Sequence, residues 1–405
     1  MPNKLILGPH IMSEAEGDHY TADLLKFGTS VVLFYLDKGY LSTPERRNLL
    51  TLAKKPGTLV LGRRYADPMP DLSRDVHQEV KHYYEAGWGI DSFTELALSI
   101  PQIDAWLCPN EVVIKTPEQM KWYATFCVEF ANRLLAETGK LAVLGNWATG
   151  TPEIVGVNMW EYWRPVLDLA RQGKCILSRH SYGSISGDVG SYNGLRHRRD
   201  MAIWESMGYG RGSLSLVLTE AGMDTDYNSD KSIACKGPFQ KVYGTSQDAI
   251  YPYHNDYLKP LAEELDKDRE YLAGACLFTF GNGMGPWNDF DMAHMPWLDA
   301  IARNPIVQSN PVIPTVPPVV VTPDPVVVAP SGDWPAWATH KVKAAVNVRQ
   351  YPWLSDLVPM EVGSFQGGKY VHSYGKVTRA DGGEWHCVGP DGNMWVSGYY
   401  LEAKP

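Results

Sequence analysis

The chain has 405 residues, 44% of them hydrophobic and 20% charged, which suits one large core with a small satellite domain and makes disorder a poor default. A net charge of -9 without a long basic run argues against nucleic acid or an anionic membrane as the main partner, because both require clustered Lys and Arg. The six cysteines, at 108, 127, 175, 235, 276 and 387, form no CxxC pair, so neither a zinc knuckle nor a disulfide-dense scaffold is expected.

The N-terminal stretch Met1 to His10 lacks a basic segment followed by a long apolar one and does not read as a secretory signal. No apolar run reaches the ~20 residues of a membrane-spanning helix. The expectation is a protein that is cytoplasmic as synthesised, and released or exported if it acts outside the cell. From there, short apolar runs with strand character begin near Lys4, Ser30, Thr58, Asp104, Leu141, Cys175, Leu214 and Leu272. Helical patterns separate them. The clearest runs from Thr116 to Thr138, opened by Thr-Pro-Glu and closed by Gly139; others are Met159 to Gln172, one opened by Thr43-Pro-Glu, and Tyr257 to Asp268. Eight near-continuous apolar strands alternating with helices predict a parallel (β/α)8 barrel over residues 1–305. The rival, an open doubly wound sheet, would call for a GxGxxG turn after the first strand, and Leu7-Gly-Pro-His-Ile-Met-Ser-Glu has none.

Residues 306–335 are a Pro/Val tract, read as a semi-rigid extended spacer. Residues 336–405 carry short strand candidates and Gly-containing turns such as Asp381-Gly-Gly and Asp391-Gly, which predicts a small all-β barrel. With seven Lys/Arg against six Asp/Glu this tail is nearly neutral, so the acidity belongs to the larger domain.

The strands of a (β/α)8 barrel deliver their C-terminal ends to one mouth, where catalytic side chains collect. By the count above, Asn110 and Glu111 end the fourth strand and Glu220 the seventh; Arg63 and Arg64 end the third, and Trp147 the fifth. Taken singly, Glu220 could be a helix cap or loop carboxylate, and Asn110-Glu111 a solvated strand exit. Together, two carboxyl groups across one mouth are what glycosidic cleavage requires: one protonates the leaving oxygen, and the other attacks the anomeric carbon or activates water. A separation of ~5 Å goes with a covalent intermediate and retention, ~7–9 Å with inversion. No HExxH or clustered His set points to a metal, and the Asp224/Asp226 and Asp289/Asp291 pairs lack the rest of a calcium loop. The GxSxG elbow of serine hydrolysis is missing as well. No cofactor or metal is expected.

The Asn-Glu pair on strand four and the Glu on strand seven resemble the clan A retaining glycoside hydrolases. That resemblance implies Glu111 as acid/base, Asn110 as donor to the sugar 2-hydroxyl and Glu220 as nucleophile. It also implies His180 and Tyr182, from Ser178-Arg-His-Ser-Tyr-Gly on strand six, as residues orienting the nucleophile and the sugar. Members of the clan carry a Trp at the end of strand eight as a sugar platform. Here the corresponding stretch is Phe278-Thr-Phe-Gly-Asn-Gly-Met-Gly-Pro-Trp287, so Phe280 or Trp287 would take that place. In the tail, Val346-Asn-Val-Arg-Gln-Tyr-Pro and Gly383-Glu-Trp-His-Cys-Val with Asp391-Gly-Asn-Met-Trp-Val-Ser-Gly-Tyr-Tyr-Leu resemble the bacterial SH3-type domain, whose members often bind cell-wall peptides or glycans. The combined expectation is a monomeric retaining β-glycosidase acting on a polysaccharide such as a cell-wall glycan. A phage-type endolysin is one alternative, and a non-catalytic glycan-binding protein on a degenerate barrel another.

Overall fold

A computed structural model describes residues 4–12, 18–36, 43–64, 69–85, 92–152, 158–184, 194–224, 243–281 and 290–306, together with eight short strands between 340 and 403. The chain divides into two compact units, Met1–Pro317 and Pro318–Pro405. In the first, eight parallel strands close into a barrel in sequence order. They are β1 (Leu7–Ile11), β2 (Val31–Leu36), β3 (Leu59–Arg64), β4 (Ala105–Leu107), β5 (Leu141–Trp147), β6 (Cys175–Ser184), β7 (Leu216–Asp224) and β8 (Leu272–Phe280). Closure is made by β1, which pairs with both β2 and β8.

The helices begin where the sequence signals them. Thr43 and Thr116 each cap a helix whose first residue is proline, Pro44–Ala53 and Pro117–Thr138, accepting from Arg46 and Gln119 backbone N–H groups. Proline has no N–H to lose at that position. Gly139 ends the long helix at φ 68°, where a β-carbon would be strained. Met159 to Gln172, expected as one helix, is a 3-10 segment followed by the α-helix Arg164–Arg171, with Pro165 in its first turn.

Two apolar layers result from strand alternation. Val31, Leu33, Leu59, Leu61, Val143, Ile176, Val217 and Cys276 belong to a cluster that fills the barrel interior. Their neighbours, among them Val32, Phe34, Val60, Trp106 and Leu144, face the helices in the larger outer cluster. Interior positions lead up to the mouth: Leu59 and Leu61 continue to Arg63, while Ile176 continues through Ser178 to His180 and Tyr182. Side chains arriving at the mouth are thus fixed by which face of the strand they occupy, except on β7, where the pairing slips beyond Leu218 and lets Glu220 face the mouth directly after the inward Thr219.

In the second unit the described strands form a five-stranded sheet, over 346–397, and a three-stranded sheet, over 340–403, with antiparallel pairing throughout. Among the described residues no helix is long and apolar enough to cross a membrane.

Candidate active site

A pocket of about 320 Å³ opens at the C-terminal ends of the strands. It is lined by His10 and Met12 from β1 and its exit, Tyr35 from β2, Arg63 from β3, Asn110 and Glu111 after β4, Tyr182 from β6, Glu220 from β7 and Phe278 from β8. Ala148, Thr149 and Phe290 complete the lining.

Glu220 is nearly buried, its side chain 9% exposed, and charged or polar donors converge on it. Arg63 donates from Nη1 to Oε1 at 2.8 Å, and Tyr182 donates from its hydroxyl to Oε2 at 2.8 Å. His180 Nδ1 lies 3.3 Å from Oε2. A charge-assisted bond from a planar guanidinium fixes the carboxylate's direction as well as its position. Arg64, one residue on, points to the other face of the strand: it donates to the Tyr83 carbonyl at 3.0 Å and lies over that ring.

Glu111 has a different environment. Its side chain is 46% exposed, and Oε1 is 2.8 Å from His180 Nδ1. Burial works to raise its pKa, yet the hydrogen bond and charge of His180, with Arg63 behind them, hold the carboxyl below its usual 4.5. One oxygen of Glu111, one of Glu220 and a ring nitrogen of His180 all lie within 4.8 Å of one another. Such a trio could in principle ligate a cation, but a guanidinium 2.8 Å from one of its carboxylates opposes added positive charge.

Glu111 leaves the strand at an unusual backbone angle, φ 52°. β4 ends at Leu107, four residues earlier than the expected exit at Glu111. Pro109 explains this, because it has no N–H with which to continue the ladder. Asn146 of β5 takes over the support. It is fully buried at φ 45°, and its carbonyl accepts from the Glu111 N–H at 3.0 Å. Its Nδ2 donates to the Cys108 carbonyl at 2.7 Å; its Oδ1 accepts from Ser178 Oγ at 2.6 Å and from Thr219 Oγ1 at 3.4 Å. One amide therefore ties the strand bearing Glu111 to the residue preceding Glu220.

The structure brings Glu111, Glu220, Asn110, Arg63, His180 and Tyr182 to one mouth, but it places two expected residues elsewhere. Trp147 is 2% exposed and packs edge-on against Tyr123, Trp160 and Trp163 on the helix side. Gly145 and Asn146 both have positive φ, and the β5–β6 register shifts between Leu144 and Trp147. The irregularity turns Asn146 inward and Trp147 outward. Phe280 is likewise fully buried, against Trp297 at 5.3 Å. Here β8 has an extra residue relative to β1, which pairs Pro9 with Leu277 but Ile11 with Phe280, so Phe278 is the strand-eight aromatic facing the pocket. Trp287 lies outside the described residues.

His10, Tyr35, Phe278 and Asn146 were not singled out from the sequence. The signal for His10 was a polar residue at the exit of the first apolar strand, the same signal that marked Glu220. Asn146 carried no such mark, since its role depends on a backbone irregularity.

No family profile matches the chain, and no curated protein does. Among solved structures, the chain is similar to an endo-β-1,4-mannanase from Thermotoga petrophila, at 12% identity over 74% of this chain and 76% of that one, with a TM-score of 0.39. A β-glucuronidase from Ruminococcus gnavus matches at 12% identity over 74% of this chain and 49% of its own, TM-score 0.41. A β-porphyranase from Bacteroides plebeius matches at 14% identity over 55% and 37%, TM-score 0.33. At this level of similarity nothing about substrate or activity transfers to the chain.

Proposed function

We propose that the protein is a retaining β-glycoside hydrolase in which Glu220 is the nucleophile and Glu111 the acid/base. The observation that carries this is the pair of glutamates with oxygens within 4.8 Å of each other at one barrel mouth; a spacing this short suits direct attack and leaves little room for an intervening water. Their environments favour the two roles. Glu220, clamped by Arg63 and Tyr182, is held still for in-line attack. Glu111, exposed at the rim, can reach a leaving oxygen.

In the first step a Glu220 oxygen bonds to the anomeric carbon as the bond to the leaving oxygen breaks, and Glu111 supplies that oxygen with its proton. In the second, Glu111 takes a proton from water, whose oxygen bonds to the anomeric carbon and releases Glu220. The substrate is a polysaccharide, and the C-terminal unit, which resembles an SH3-type domain, holds that polymer near the barrel through the Pro/Val spacer. A cell-wall glycan is favoured by this second resemblance alone.

The test is turnover on purified cell walls and on β-glucans, mannans and xylans. Glu220→Gln should abolish turnover with an unchanged circular-dichroism spectrum. Glu111→Ala should lose most activity and regain part of it with an activated aryl glycoside plus azide. Full activity in either variant overturns that residue's role.

A further inference from the structure

We infer that His10 is a specificity-determining residue that hydrogen-bonds a hydroxyl of the bound sugar at C3 or C4, on the side of the ring remote from the scissile bond. The inference rests on the glycosidase proposal above and deepens it.

Along β1, Leu7 and Ile11 belong to the outer cluster, which turns Gly8 and His10 toward the barrel axis. Gly8 leaves no room for a side chain there, because a β-carbon would meet the Val31 carbonyl at 1.7 Å. His10, one step higher, is fully buried and lines the pocket. Among the described residues neither of its ring nitrogens has a hydrogen-bond partner. Among the described residues its one close ring neighbour is apolar, Phe278, packed edge to face at 5.3 Å between centroids. Two unmet polar atoms in a buried ring are costly unless something entering the pocket meets them.

The chemistry of that partner follows from the state of the ring. Burial pushes the His10 pKa down to about 3; Glu220 opposes the shift, while Arg63 and His180 add to it. The ring is therefore neutral at any working pH, with one N–H donor and one bare acceptor. A sugar hydroxyl, which both donates and accepts, is the natural complement. The location selects which hydroxyl. The scissile bond lies between Glu111 after β4 and Glu220 on β7, so the ring under attack extends away from Glu111. That direction leads toward β8, β1 and β2, where Phe278, His10 and Tyr35 line the pocket. Of the ring carbons that carry a hydroxyl, C3 and C4 lie farthest from the anomeric carbon.

The test uses the full-length protein and 2,4-dinitrophenyl 2-deoxy-2-fluoro-β-glycosides of the gluco, manno, galacto and xylo series. On these probes Glu220 displaces dinitrophenolate and remains as a stable ester, read by intact mass and peptide mapping. The 3-deoxy and 4-deoxy forms of whichever probe labels the wild type are then compared. One of the two should label the wild type at least about tenfold more slowly than its parent, as for one lost hydrogen bond. His10→Phe should slow labelling by the parent probe by a similar factor and label equally fast with or without that hydroxyl, while His10→Gln recovers part of the rate. If both deoxy probes label the wild type at the parent rate, the inference is overturned, and this arm needs no variant to fold. A His10→Phe rate equal to wild type, or one slowed equally for all probes as a packing defect would do, overturns it too. Failure of every probe to label Glu220 in the wild type overturns the glycosidase proposal, and this inference with it.

Discussion

Replacing Asn146 should damage stability and catalysis together, by amounts that separate its side chain from its backbone. Asn146→Ala removes the donor to the Cys108 carbonyl at 2.7 Å and the acceptor for Ser178 and Thr219. Ser178 Oγ keeps a second acceptor in the Leu144 carbonyl at 3.2 Å, and the Cys108 carbonyl and the Thr219 hydroxyl each lose the bond they make to the Asn146 amide. At ~1 kcal/mol net for each of the three buried hydrogen bonds removed, the loss comes to about 3 kcal/mol. For a unit of this size that is a fall in Tm of roughly 6–10 °C. Alanine also fits φ 45° worse than asparagine does, whereas Asn146→Gly keeps the backbone comfortable and should recover about 1 kcal/mol relative to alanine. Glu111 hangs from the Asn146 carbonyl, and displacement by about 1 Å can cost on the order of a hundredfold in rate. Thermal melts and turnover of an activated aryl glycoside measure the two effects. An Asn146→Ala protein within about 0.5 kcal/mol of wild type and fully active would refute the reasoning.

Two further predictions concern protons. Because His180 holds the Glu111 carboxyl below 4.5 against the opposing effect of burial, the wild-type alkaline limb of kcat/KM, which reports the free enzyme, should lie at acid pH. His180→Phe should move that limb upward, and a pH–rate profile with an unmoved limb would count against the contact. For stability, His10 falls from 6.5 unfolded to about 3 folded, so between those values the unfolded state binds more protons and stability drops as pH drops. From pH 7 to pH 5 the loss due to His10 is about 2 kcal/mol. His197 and His254, whose pKa values burial also lowers, act in the same direction. Urea denaturation at the two pH values should show a shallower dependence for His10→Gln; parallel dependences would contradict the buried neutral ring.

The barrel was legible in the sequence because each strand is a near-continuous apolar run and each main helix is announced by a cap. Thr116 with Pro117 and Gly139 bracket the long helix almost to the residue. The carboxylate pair was legible for a related reason: few polar side chains stand at the exits of such runs. What escaped depends on strand irregularities. Strict alternation places Trp147 and Phe280 at the mouth, but one extra residue in β5 turns Trp147 out and brings Asn146 inward instead, and one in β8 turns Phe280 out, leaving Phe278, on the same face as Cys276, as the inward aromatic. A sequence pattern of period two has no means of marking where that period slips. The pairing of Arg63 with Glu220 was likewise hidden, since it joins strands 157 residues apart.

Double displacement at Glu220 is the central claim, and the stereochemistry of the first product tests it most directly. Proton NMR of a reaction with an aryl β-glycoside or a soluble β-glucan, recorded before mutarotation, should show the β-anomer appearing first. Initial release of the α-anomer would mean that water attacks directly, and would contradict a nucleophilic Glu220 paired with Glu111.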